Sequence, residues 1–416
     1  MMIDFELSPR IKGTKNMIHM FAESALRPIA REYDTNEHKK PQDLLKMVQK
    51  VMGGGISGAF GTEEKKKEGE EPKEKKRRET NLAGGVTVEE IFWGDAGLAL
   101  SFPGPGLGGA AVQASGTPEQ KEKFLARFAG EEPVWGAMAI TEAEAGSDTA
   151  NIRTTAVLDG DEYILNGEKI FVTSGKSALV ESQGFVVVWA TLDRKAGRAG
   201  IKPFVVEHGT PGMEVTKIED KLGIRCSDTV SLAFMDCRVP KENLLGNPEV
   251  VDKSKTEGFK KVMATFDATR PLVAAMAIGV GSAALDLLKK TLAEEGVEIR
   301  YGISPCRMTA LERDIMKMDA DLKAARLLTW RALWMLDNGQ RNDLQSSMAK
   351  AKAGSAVTWI TQKAVEIMGP LGYSQDLLLE KWMRDSKIND IFEGTGQIQL
   401  LVTARRLLGF SREQLK

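Results

Sequence analysis

The first 130 or so residues carry apolar side chains at helical spacing. Ser8 and Pro9 supply a cap residue and a first-turn proline. Behind them comes an apolar series that recurs every three to four residues: Met17, Ile18, Phe21, Ala22, Ala25, Leu26 and Ile29. Further helices are predicted over residues 41–51, 86–92 and 118–128, the last again with a proline after a threonine. The pattern therefore predicts a helical first domain over residues 1–133.

From about residue 134 the pattern changes to short runs of β-branched and aromatic residues. Asp159-Gly160 and Asn166-Gly167 are both two-residue hairpin signals, flanked by strand-like residues 154–158, 163–165 and 169–173. Residues 185–191, 202–207 and 230–235 are strand-like as well. We expect an all-β second domain over residues 134–246.

The last third returns to helical spacing. Long helices are predicted over residues 271–295, 309–337, 344–368 and 377–388, with Gly369 and Gly372 as a natural stop. Long helices in series favour an antiparallel bundle, which would be a third domain over residues 247–416. The fold class is therefore α+β, in the order helical, β, helical. No G-x-G-x-x-G opens a βαβ unit, so no Rossmann nicotinamide site is predicted.

Composition and charge narrow the class of protein. The 57 basic and 58 acidic residues balance, and 42% of the chain is apolar, which is typical of a soluble globular protein. This charge balance has no excess of positive charge that would attract nucleic acid. The amino terminus carries Asp4 and Glu6 and lacks the apolar core of a secretory signal, which predicts a cytoplasmic location. Apolar runs such as residues 272–285 fall short of the ~20 residues that a membrane span needs, so no span is predicted.

Three further features of composition bear on function. Residues 63–79 hold eight basic and seven acidic side chains and no apolar one, which predicts a solvated, mobile loop. The three cysteines are odd in number and widely spaced, so they are interpreted as reduced thiols, most simply small buried hydrophobes: Cys226, Cys237 and Cys306. The three histidines lack paired spacing, so no metal site is predicted and acid–base chemistry falls to carboxylates: His19, His38 and His208.

Two loop or strand segments could contact a ligand. In residues 139–150, AITEAEAGSDTA, polar residues stand among small ones that let a ligand approach the backbone, although such a loop usually just makes a turn. In residues 165–175, LNGEKIFVTSG, Phe171 stands two places before Thr173, so alternation puts both on one strand face. An aromatic beside a hydroxyl could line a flat ring system; an ordinary strand face is the alternative.

A third segment offers a candidate general base. In residues 391–399, IFEGTGQIQ, Glu393 is flanked by Ile391 and Phe392 just after a predicted helix. If this carboxylate is buried, its charged form is disfavoured and its affinity for a proton rises. A general base that works near neutral pH needs that property.

Five segments together resemble one known family. ITEAEAGSD, LNGEKIFVTSG, EDKLGIRCSDT, FDATRP and IFEGTGQIQ are similar, in this order and at these separations over residues 4–408, to the acyl-CoA dehydrogenases. The resemblance implies an N-terminal helical domain, a central β-barrel or sandwich and a C-terminal four-helix bundle. It also implies an FAD-dependent enzyme that converts an acyl-CoA thioester to a trans-2-enoyl-CoA, passes electrons to an electron-transferring flavoprotein and assembles as a homotetramer.

The resemblance assigns roles position by position. Glu393 would remove the α-proton while the β-hydrogen leaves as hydride to flavin N5. The family polarises the thioester carbonyl with the backbone N–H of this glutamate and a ribityl hydroxyl of the flavin. The cofactor positions are Ile140 and Thr141 at the flavin pyrimidine ring, Thr173 at N5, Phe171 where the family usually has tryptophan, and Thr395 and Gln397 at the dinucleotide of a neighbouring subunit. The substrate positions are Ser147 at the nucleotide–thiol part of the ligands, Asp267, Arg270 and Arg405 facing the pantetheine and the catalytic carboxylate, and Gly394.

Two positions depart from the family pattern. The family usually has an arginine in an R-x-x-F-G pattern that binds the flavin diphosphate of the adjacent subunit, where ungapped alignment places Glu298 before Tyr301-Gly302. A family Gln-Ile-x-Gly-Gly segment near that diphosphate is here residues 366–370, which begin with Glu366. Two carboxylates would repel the diphosphate. Either nearby arginines such as Arg300 or Arg307 compensate, or flavin binds weakly.

These departures leave an alternative function open. The chain could be a weakly flavinylated or non-catalytic partner subunit of a heteromeric acyl-CoA dehydrogenase, although Glu393 weighs against that. An acyl-CoA oxidase is disfavoured because that group usually carries an additional carboxy-terminal region, and a nitroalkane-oxidising relative would have aspartate at position 393. Residues 100–116 align with pocket-forming positions and contain no Arg or Lys, which favours a neutral acyl group and disfavours oxidative decarboxylation.

Overall fold

The computed structural model describes residues 6–52, 78–250, 257–411 and 414 of the 416-residue chain, with only the helical backbone at residues 51, 52, 257–265 and 267. The predicted mobile loop at residues 63–79 therefore lies outside the described residues, apart from Arg78 and Glu79.

The first helical region begins where the cap signals place it. The Ser8 hydroxyl accepts a hydrogen bond from the Ile11 N–H at 3.4 Å, and Thr117 closes a capping box with Gln120. These contacts confirm both predicted starts. The helices are α1 Pro9–Phe21, α2 Ala30–Thr35, α3 Gln42–Met52, α4 Thr80–Gly94, α5 Ala96–Leu100, α6 Gly106–Ser115 and α7 Pro118–Leu125.

The middle region is one mixed seven-stranded sheet. Its strands are β1 Gly136–Ala139, β2 Thr155–Asp159, β3 Glu162–Thr173, β4 Phe185–Thr191, β5 Ile201–Glu207, β6 Met213–Ile218 and β7 Thr229–Pro240. The sheet order is β1-β4-β2-β3-β7-β6, with β5 paired to β4. The β1 and β4 strands run parallel, whereas β2 and β3 form an antiparallel hairpin that turns at Gly160 with φ +62°.

The second predicted hairpin is wrong. Asn166 and Gly167 lie inside the continuous strand β3, where the pairing with β7 shifts register between Leu165 and Gly167. Gly167 has φ +146°, and a Cβ built there would lie 2.6 Å from Oγ1 and 2.7 Å from Cα of Thr154. The glycine allows a β-bulge and a close approach to another backbone segment. The hairpin prediction was wrong because an Asn-Gly pair is compatible with a bulge as well as with a turn.

The last region contains the long helices α8 Glu257–Glu294, α9 Ala310–Asp337 and α10 Asp343–Tyr373, followed by α11 Leu379–Ser386, a tight helical turn Lys387–Asp390 and α12 Gly396–Leu408. Helix α8 begins earlier than expected and passes through Pro271. Thr309 caps α9 in a capping box with Glu312, at the predicted start of this helix. Gly369, with φ +56°, interrupts α10 as predicted, although one more turn follows it.

Helix α8 also corrects the expectation that no apolar run is long enough to span a membrane. Its segment Ala268–Glu294 is 27 residues long, and its most apolar 18-residue window has mean hydropathy 1.8, enough by length and composition to cross a membrane; it is the one such helix in the described part of the chain. However, 83% of its most apolar window is buried inside the protein, which is where a core helix lies.

One apolar core joins the first and last helical regions. Leu82, Val86 and Ile91 of α4 pack in the same cluster as Leu272 to Leu288 of α8 and Val357 and Ile360 of α10. The sheet has a separate core around Leu165, Val186 and Leu232. Element type changes between Ala129 and Gly136 and between Asn243 and Glu257, while the domain limits 133/134 and 246/247 themselves remain predictions.

The N-terminus of α4 is capped from a distant helix. Asp337, the last residue of α9, accepts hydrogen bonds from the Asn81 N–H at 2.8 Å and the Leu82 N–H at 3.1 Å. The carboxylate thus satisfies two of the first N–H groups of α4, which have no partner inside the helix.

The three cysteines are free thiols. Cys226 and Cys237 are buried as expected, whereas Cys306 is exposed, so its interpretation as a buried hydrophobe is wrong. It lies in the turn Pro305–Arg307 before α9, and no apolar cluster covers this turn in the described part of the chain.

Candidate active site

A short loop with unusual backbone geometry connects the turn Lys387–Asp390 to α12. Glu393 and Gly394 both have left-handed backbone angles, with φ of +52° and +87°. Such a conformation costs a non-glycine residue about 1–3 kcal/mol and persists only where the surroundings enforce it. A Cβ at Gly394 would lie 2.7 Å from Nε2 of Gln399, so the loop is also closely packed. Thr395 ends the loop as the cap of α12.

The Glu393 carboxylate is enclosed by polar groups of α8 and α10. The hydroxyl of Thr269, in α8, donates a hydrogen bond to Oε2 of Glu393 at 2.7 Å. Burial raises the pKa of Glu393, while the Thr269 hydrogen bond and the charges of Lys350 and Arg270 act in the opposite direction. Thr269 and Arg270 are only 4% and 7% exposed. A carboxylate with a raised pKa binds protons more tightly, as a general base near neutral pH must.

Two buried side chains, one from α10 and one from α12, donate hydrogen bonds to the backbone of this loop. The Lys350 ammonium, in α10, donates to the carbonyl of Gly394 at 2.7 Å and to that of Asn389 at 3.3 Å. The Gln399 amide, in α12, also donates to the Gly394 carbonyl, at 3.1 Å. Burial lowers the pKa of Lys350 to about 8, although the charges of Glu393 and Asp390 oppose the shift.

The segment after β1 is anchored by a buried ion pair. The Lys169 ammonium, in β3, donates to the Ile140 carbonyl at 3.1 Å and to Oε1 of Glu142 at 2.7 Å. The same carboxylate oxygen accepts from the Thr154 hydroxyl at 2.6 Å, and the Ile170 N–H donates to the Thr141 carbonyl at 2.9 Å. Ile140 and Thr141 are therefore held in place from the core side of the sheet.

Phe171 and Thr173 lie on the opposite side of β3 from the core. Val172 between them is buried, whereas Phe171 is 62% exposed. Phe171 has φ +56°, and the register shifts between Lys169 and Val172, so a bulge interrupts simple alternation. Within the described part of the chain, the hydroxyls of Thr141 and Thr173 donate no side-chain hydrogen bond and remain available to a ligand.

Phe266 connects the two groups of candidate residues. It lies in α8 one turn before Arg270, is 9% exposed, and belongs to the same apolar cluster as Met138 and Ile140. The part of α8 that holds the Glu393 carboxylate therefore packs against the end of β1.

The remaining predicted residues are more dispersed. Ser147 is exposed in the loop after β1, and Asp267 lies in α8 where only the backbone is described. Gln397 lines a groove of about 350 Å³ between α10 and α12, together with Trp359 and Leu400. Arg405 lies in the last turn of α12, roughly 13 Å along the helix from Gly396. It forms no hydrogen bond or ion pair with Glu393 in the described part of the chain, and its expected role at the pantetheine and the carboxylate stays a prediction.

Sequence reasoning missed Thr269, Lys350 and Gln399. Thr269 lies inside the FDATRP segment, but its partner Glu393 is 124 residues away. Lys350 recurs with Ala349, Ala353 and Val357 on the buried face of α10, so a lysine at an apolar helical position was the available signal.

The residues that depart from the family pattern, and Arg300 beside them, lie near groups of opposite charge or in solvent. The Arg300 guanidinium binds Glu312 through two hydrogen bonds, Nε to Oε1 at 2.6 Å and Nη2 to Oε2 at 2.9 Å. Glu366 pairs with Lys363 at 2.8 Å, and Glu298 is exposed. Arg300 is therefore already engaged with a carboxylate at the start of α9, and the charge of Glu366 is partly balanced.

Comparison with known proteins assigns the fold and site to a family. Three family models match in succession: the acyl-CoA dehydrogenase N-terminal domain over residues 9–132, the middle domain over 137–237 and the C-terminal domain over 256–408. The chain belongs to the acyl-CoA dehydrogenase family, which confirms the predicted fold class and makes it an FAD-dependent oxidoreductase.

Individual relatives cover nearly the whole chain. It is 33% identical to the short-chain specific acyl-CoA dehydrogenase of Clostridium acetobutylicum, over 97% of this chain and 100% of the relative. It superposes with a TM-score of 0.81 on butyryl-CoA dehydrogenase of Megasphaera elsdenii, at 32% identity over 98% of this chain and 100% of the other. A chain from a structure of the electron transferring flavoprotein of Acidaminococcus fermentans matches with the same TM-score, at 35% identity over 98% and 100% of the two chains.

Side chains of β3 and of the segment after β1 fit an isoalloxazine ring. The exposed Phe171 ring offers an apolar surface for a flat ring system, and the Thr141 and Thr173 hydroxyls can donate to its nitrogen and oxygen acceptors. The Thr141 backbone is held by Ile170 and by the neighbouring Lys169 contacts, and Thr173 is paired to Thr229 of β7, so these positions do not have to be ordered when the flavin binds.

Proposed function

We propose that the chain catalyses the α,β-dehydrogenation of a short, neutral acyl-CoA thioester, with Glu393 as the base. The observation that carries this proposal is the geometry of Glu393. Its carboxylate is held by Thr269 on a strained loop, and burial raises its pKa. A residue that served only as a surface acid would require none of these features.

Glu393 would accept the α-proton at a carboxylate oxygen while the electron pair of the Cα–H bond forms the new double bond. The β-hydrogen leaves with two electrons as hydride, and FAD, when bound, supplies the acceptor for it. The product is a trans-2-enoyl-CoA, so atoms and electrons balance. The Thr269 hydroxyl keeps the carboxylate oriented before the transfer.

Charge that develops on the thioester oxygen needs a donor. The backbone N–H of Glu393 donates to no other group in the described part of the chain, unlike those of Ile391 and Phe392, which bond to the Ile388 carbonyl. A fixed N–H beside the base would stabilise an enolate-like oxygen, as in other oxyanion sites. We therefore assign this N–H to the substrate carbonyl.

The substrate class rests on two lines of support. The relative from Clostridium acetobutylicum is short-chain specific, and the structural neighbour from Megasphaera elsdenii acts on butyryl-CoA. Residues 100–116, which span part of α5 and all of α6, contain no Arg or Lys to pair a second carboxylate. A neutral chain such as butyryl fits both, whereas glutaryl would introduce an unpaired charge.

The electron acceptor, the assembly and the location are further parts of the proposal. The similarity to a chain from the electron transferring flavoprotein structure supports such a flavoprotein as electron acceptor. We also infer a cytoplasmic homotetramer in which Ile140, Thr141, Ser147, Phe171 and Thr173 contact the flavin of their own subunit. Thr395 and Gln397 would contact the flavin of a neighbouring subunit.

The proposal is tested with the Glu393→Gln variant and butyryl-CoA. The amide is nearly isosteric but cannot accept the proton, so flavin reduction in a single turnover should fall by ~10⁴-fold, the upper part of the range for lost general-base catalysis. The variant should retain its flavin absorbance and should still bind butyryl-CoA. Near-normal reduction would remove Glu393 from the mechanism.

A panel of thioesters tests the substrate class. Butyryl-CoA should be oxidised faster than octanoyl-CoA, and glutaryl-CoA should not react. A colourless wild-type protein that stays inactive after addition of FAD would instead support the alternative, a partner subunit of a heteromeric dehydrogenase.

A further inference from the structure

Lys350 is a buried cation whose described hydrogen bonds go to carbonyl groups. It is 2% exposed and lies on the face of α10 that also buries Ala349 and Ala353. An ammonium in such a place loses much of its hydration and is retained only where other groups replace it. In the described part of the chain it forms no ion pair within 4.0 Å, and its hydrogen bonds go to the Asn389 and Gly394 carbonyls.

These two carbonyls stand on either side of Glu393. Asn389 belongs to the turn before the loop, and Gly394 follows Glu393 directly. One ammonium therefore holds both ends of the segment that contains the left-handed Glu393. Since that conformation is intrinsically unfavourable, contacts at its ends determine whether it persists.

The packing around the loop supports the same interpretation. Helix α10 approaches the turn so closely that a Cβ at Gly354 would lie 3.0 Å from the Asn389 carbonyl oxygen. The Gly394 carbonyl receives a second donor, the amide of the fully buried Gln399. The loop thus rests on α10 on one side and on the first turn of α12 on the other.

We infer that Lys350 is a positioning residue for the reaction: by binding the Asn389 and Gly394 carbonyls it fixes Glu393 in its left-handed conformation, and with Arg270 it contributes positive charge near the carboxylate. This inference rests on the proposed role of Glu393 as base. Lys350 is assigned no contact with the substrate; it acts through the two carbonyls that it binds.

The charge of Lys350 has a defined direction of effect. The charged groups that act on it are Glu393 and Asp390, which favour its protonated form, and Arg270, which disfavours it. In turn the Lys350 charge lowers the pKa of Glu393 against the effect of burial. If the charge is removed, the proton affinity of Glu393 should rise, so the ionised base should appear only at higher pH.

The test compares four variants by stopped-flow flavin reduction with butyryl-CoA across pH. Lys350→Met removes charge and donors at similar length. We expect reduction at the pH optimum to slow on the order of 10²-fold, as for a base displaced by about 1 Å. The acidic limb of the rate–pH profile, the part in which the rate rises with pH as the base ionises, should also shift to higher pH. Lys350→Arg should keep the acidic limb near its wild-type position, because guanidinium remains charged.

Two further variants separate position from charge. Gln399→Leu removes the second donor to Gly394 without changing charge, so it should slow reduction and leave the acidic limb unmoved; it tests the positional part even if Lys350→Met does not fold. The control is Lys352→Met on the same helix, where the ammonium pairs with Asp321 away from the loop. Its rate and pH profile should match the wild type.

The outcomes also distinguish this inference from the proposed function. If Lys350→Met and Gln399→Leu both reduce flavin at the wild-type rate and Lys350→Met keeps the wild-type acidic limb, the inference is wrong. If Lys350→Met does not fold, two other results would overturn the inference. One is a Lys350→Arg variant whose acidic limb shifts to higher pH although the charge is kept. The other is a Gln399→Leu variant that reduces flavin at the wild-type rate. Activity in Glu393→Gln would instead contradict the proposed function itself.

Discussion

The Thr269 hydroxyl donates a hydrogen bond to Oε2 of Glu393 at 2.7 Å, across 124 residues of sequence. The contact joins α8 to the loop before α12 and favours the ionised form of the carboxylate, against the burial that raises its pKa. Thr269 and Lys350 thus act on the same group from different helices, one as a neutral donor and one as a charge.

Removing the Thr269 hydroxyl should make Glu393 harder to ionise. In Thr269→Val the carboxylate loses a donor that stabilises its charged form, so the acidic limb of flavin reduction with butyryl-CoA should move to higher pH. The matched control is Thr329→Val in α9, a buried threonine whose hydroxyl, among the described residues, donates only to the Ala325 carbonyl of its own helix. An unchanged limb in Thr269→Val would show that the hydroxyl does not affect the base.

Glu393 should lower the stability of the fold at neutral pH. Because its pKa is raised on folding, its protonated form favours the folded state below the ordinary value of 4.5, and that contribution is lost as pH rises through the raised pKa. The Glu393→Gln variant should therefore gain thermal stability relative to wild type as pH increases from about 4.5. Glu214→Gln, at an exposed position on β6, is the control. A stability difference that is constant with pH would contradict this linkage.

Flavin retention tests the departures at the diphosphate site. If Glu298 repels the diphosphate, Glu298→Arg should slow the loss of flavin during dialysis, and wild-type retention should be sensitive to salt. The same charge change at the exposed Glu214 on β6 should have no effect.

Arg300→Ala tests the alternative, in which this arginine supplies the missing cation. That variant also breaks the pair with Glu312, so its thermal stability must be measured beside its flavin content. Release of flavin from a variant that is still folded would favour Arg300 as the compensating cation. If neither Glu298→Arg nor Arg300→Ala alters flavin content, the diphosphate is held elsewhere.

The proposed homotetramer predicts an effect of charge on α12. This helix exposes several leucines, among them Leu400 at 61%, Leu407 at 63% and Leu408 at 64%. If the face is covered by another subunit, Leu407→Glu should shift sedimentation toward smaller species, because a buried unpaired carboxylate is costly. Val157→Glu, equally exposed on β2, should not. A flavin-loaded, active wild-type monomer would contradict the assembly.

Gly167 should be far less replaceable than Gly160. A Cβ at Gly167 would clash with Thr154, whose hydroxyl also bonds Glu142, whereas a Cβ at Gly160 meets no atom within 4 Å. Gly160→Ala should cost only the strain of a positive φ, about 1 kcal/mol, and Gly167→Ala should cost roughly 2–4 kcal/mol. Chemical denaturation of both variants checks the difference. Equal losses would mean that the strand shifts to make room.

Local signals predict the ends of elements well, whereas distant contacts escape them. Ser8 and Thr117 can be recognised as caps from sequence because each is a hydroxyl residue directly before a proline. In the structure each accepts a hydrogen bond from the N–H three residues later. The bulge at Gly167 cannot be recognised from sequence, because the residue that it packs against, Thr154, lies outside its own strand, just before β2. Helix α8 runs through Pro271 because tertiary packing outweighs the lost hydrogen bond, which no local pattern reveals.

The candidate site divides in the same way. Glu393, Phe171 and Thr173 are recognisable from their immediate neighbours, and the structure gives the first two an unusual backbone. Thr269 and Lys350 could not be linked to Glu393 before the fold was known, because their partners lie far along the chain. The role expected of Arg405 stays a prediction, since it lies in the last turn of α12 and not in the loop itself.

The cap that Asp337 places on α4 arrives late in synthesis. Asn81 and Leu82 are separated from Asp337 by 256 and 255 residues, so at ~5–20 residues per second the ribosome needs about 10–50 s to make the chain between them. For most of that time α4 also lacks α8, and α10 is made only after Asp337, although the apolar residues of α4 pack against both. The first helices therefore leave the ribosome with their apolar faces uncovered, and this chain should depend on chaperone protection until its final third emerges.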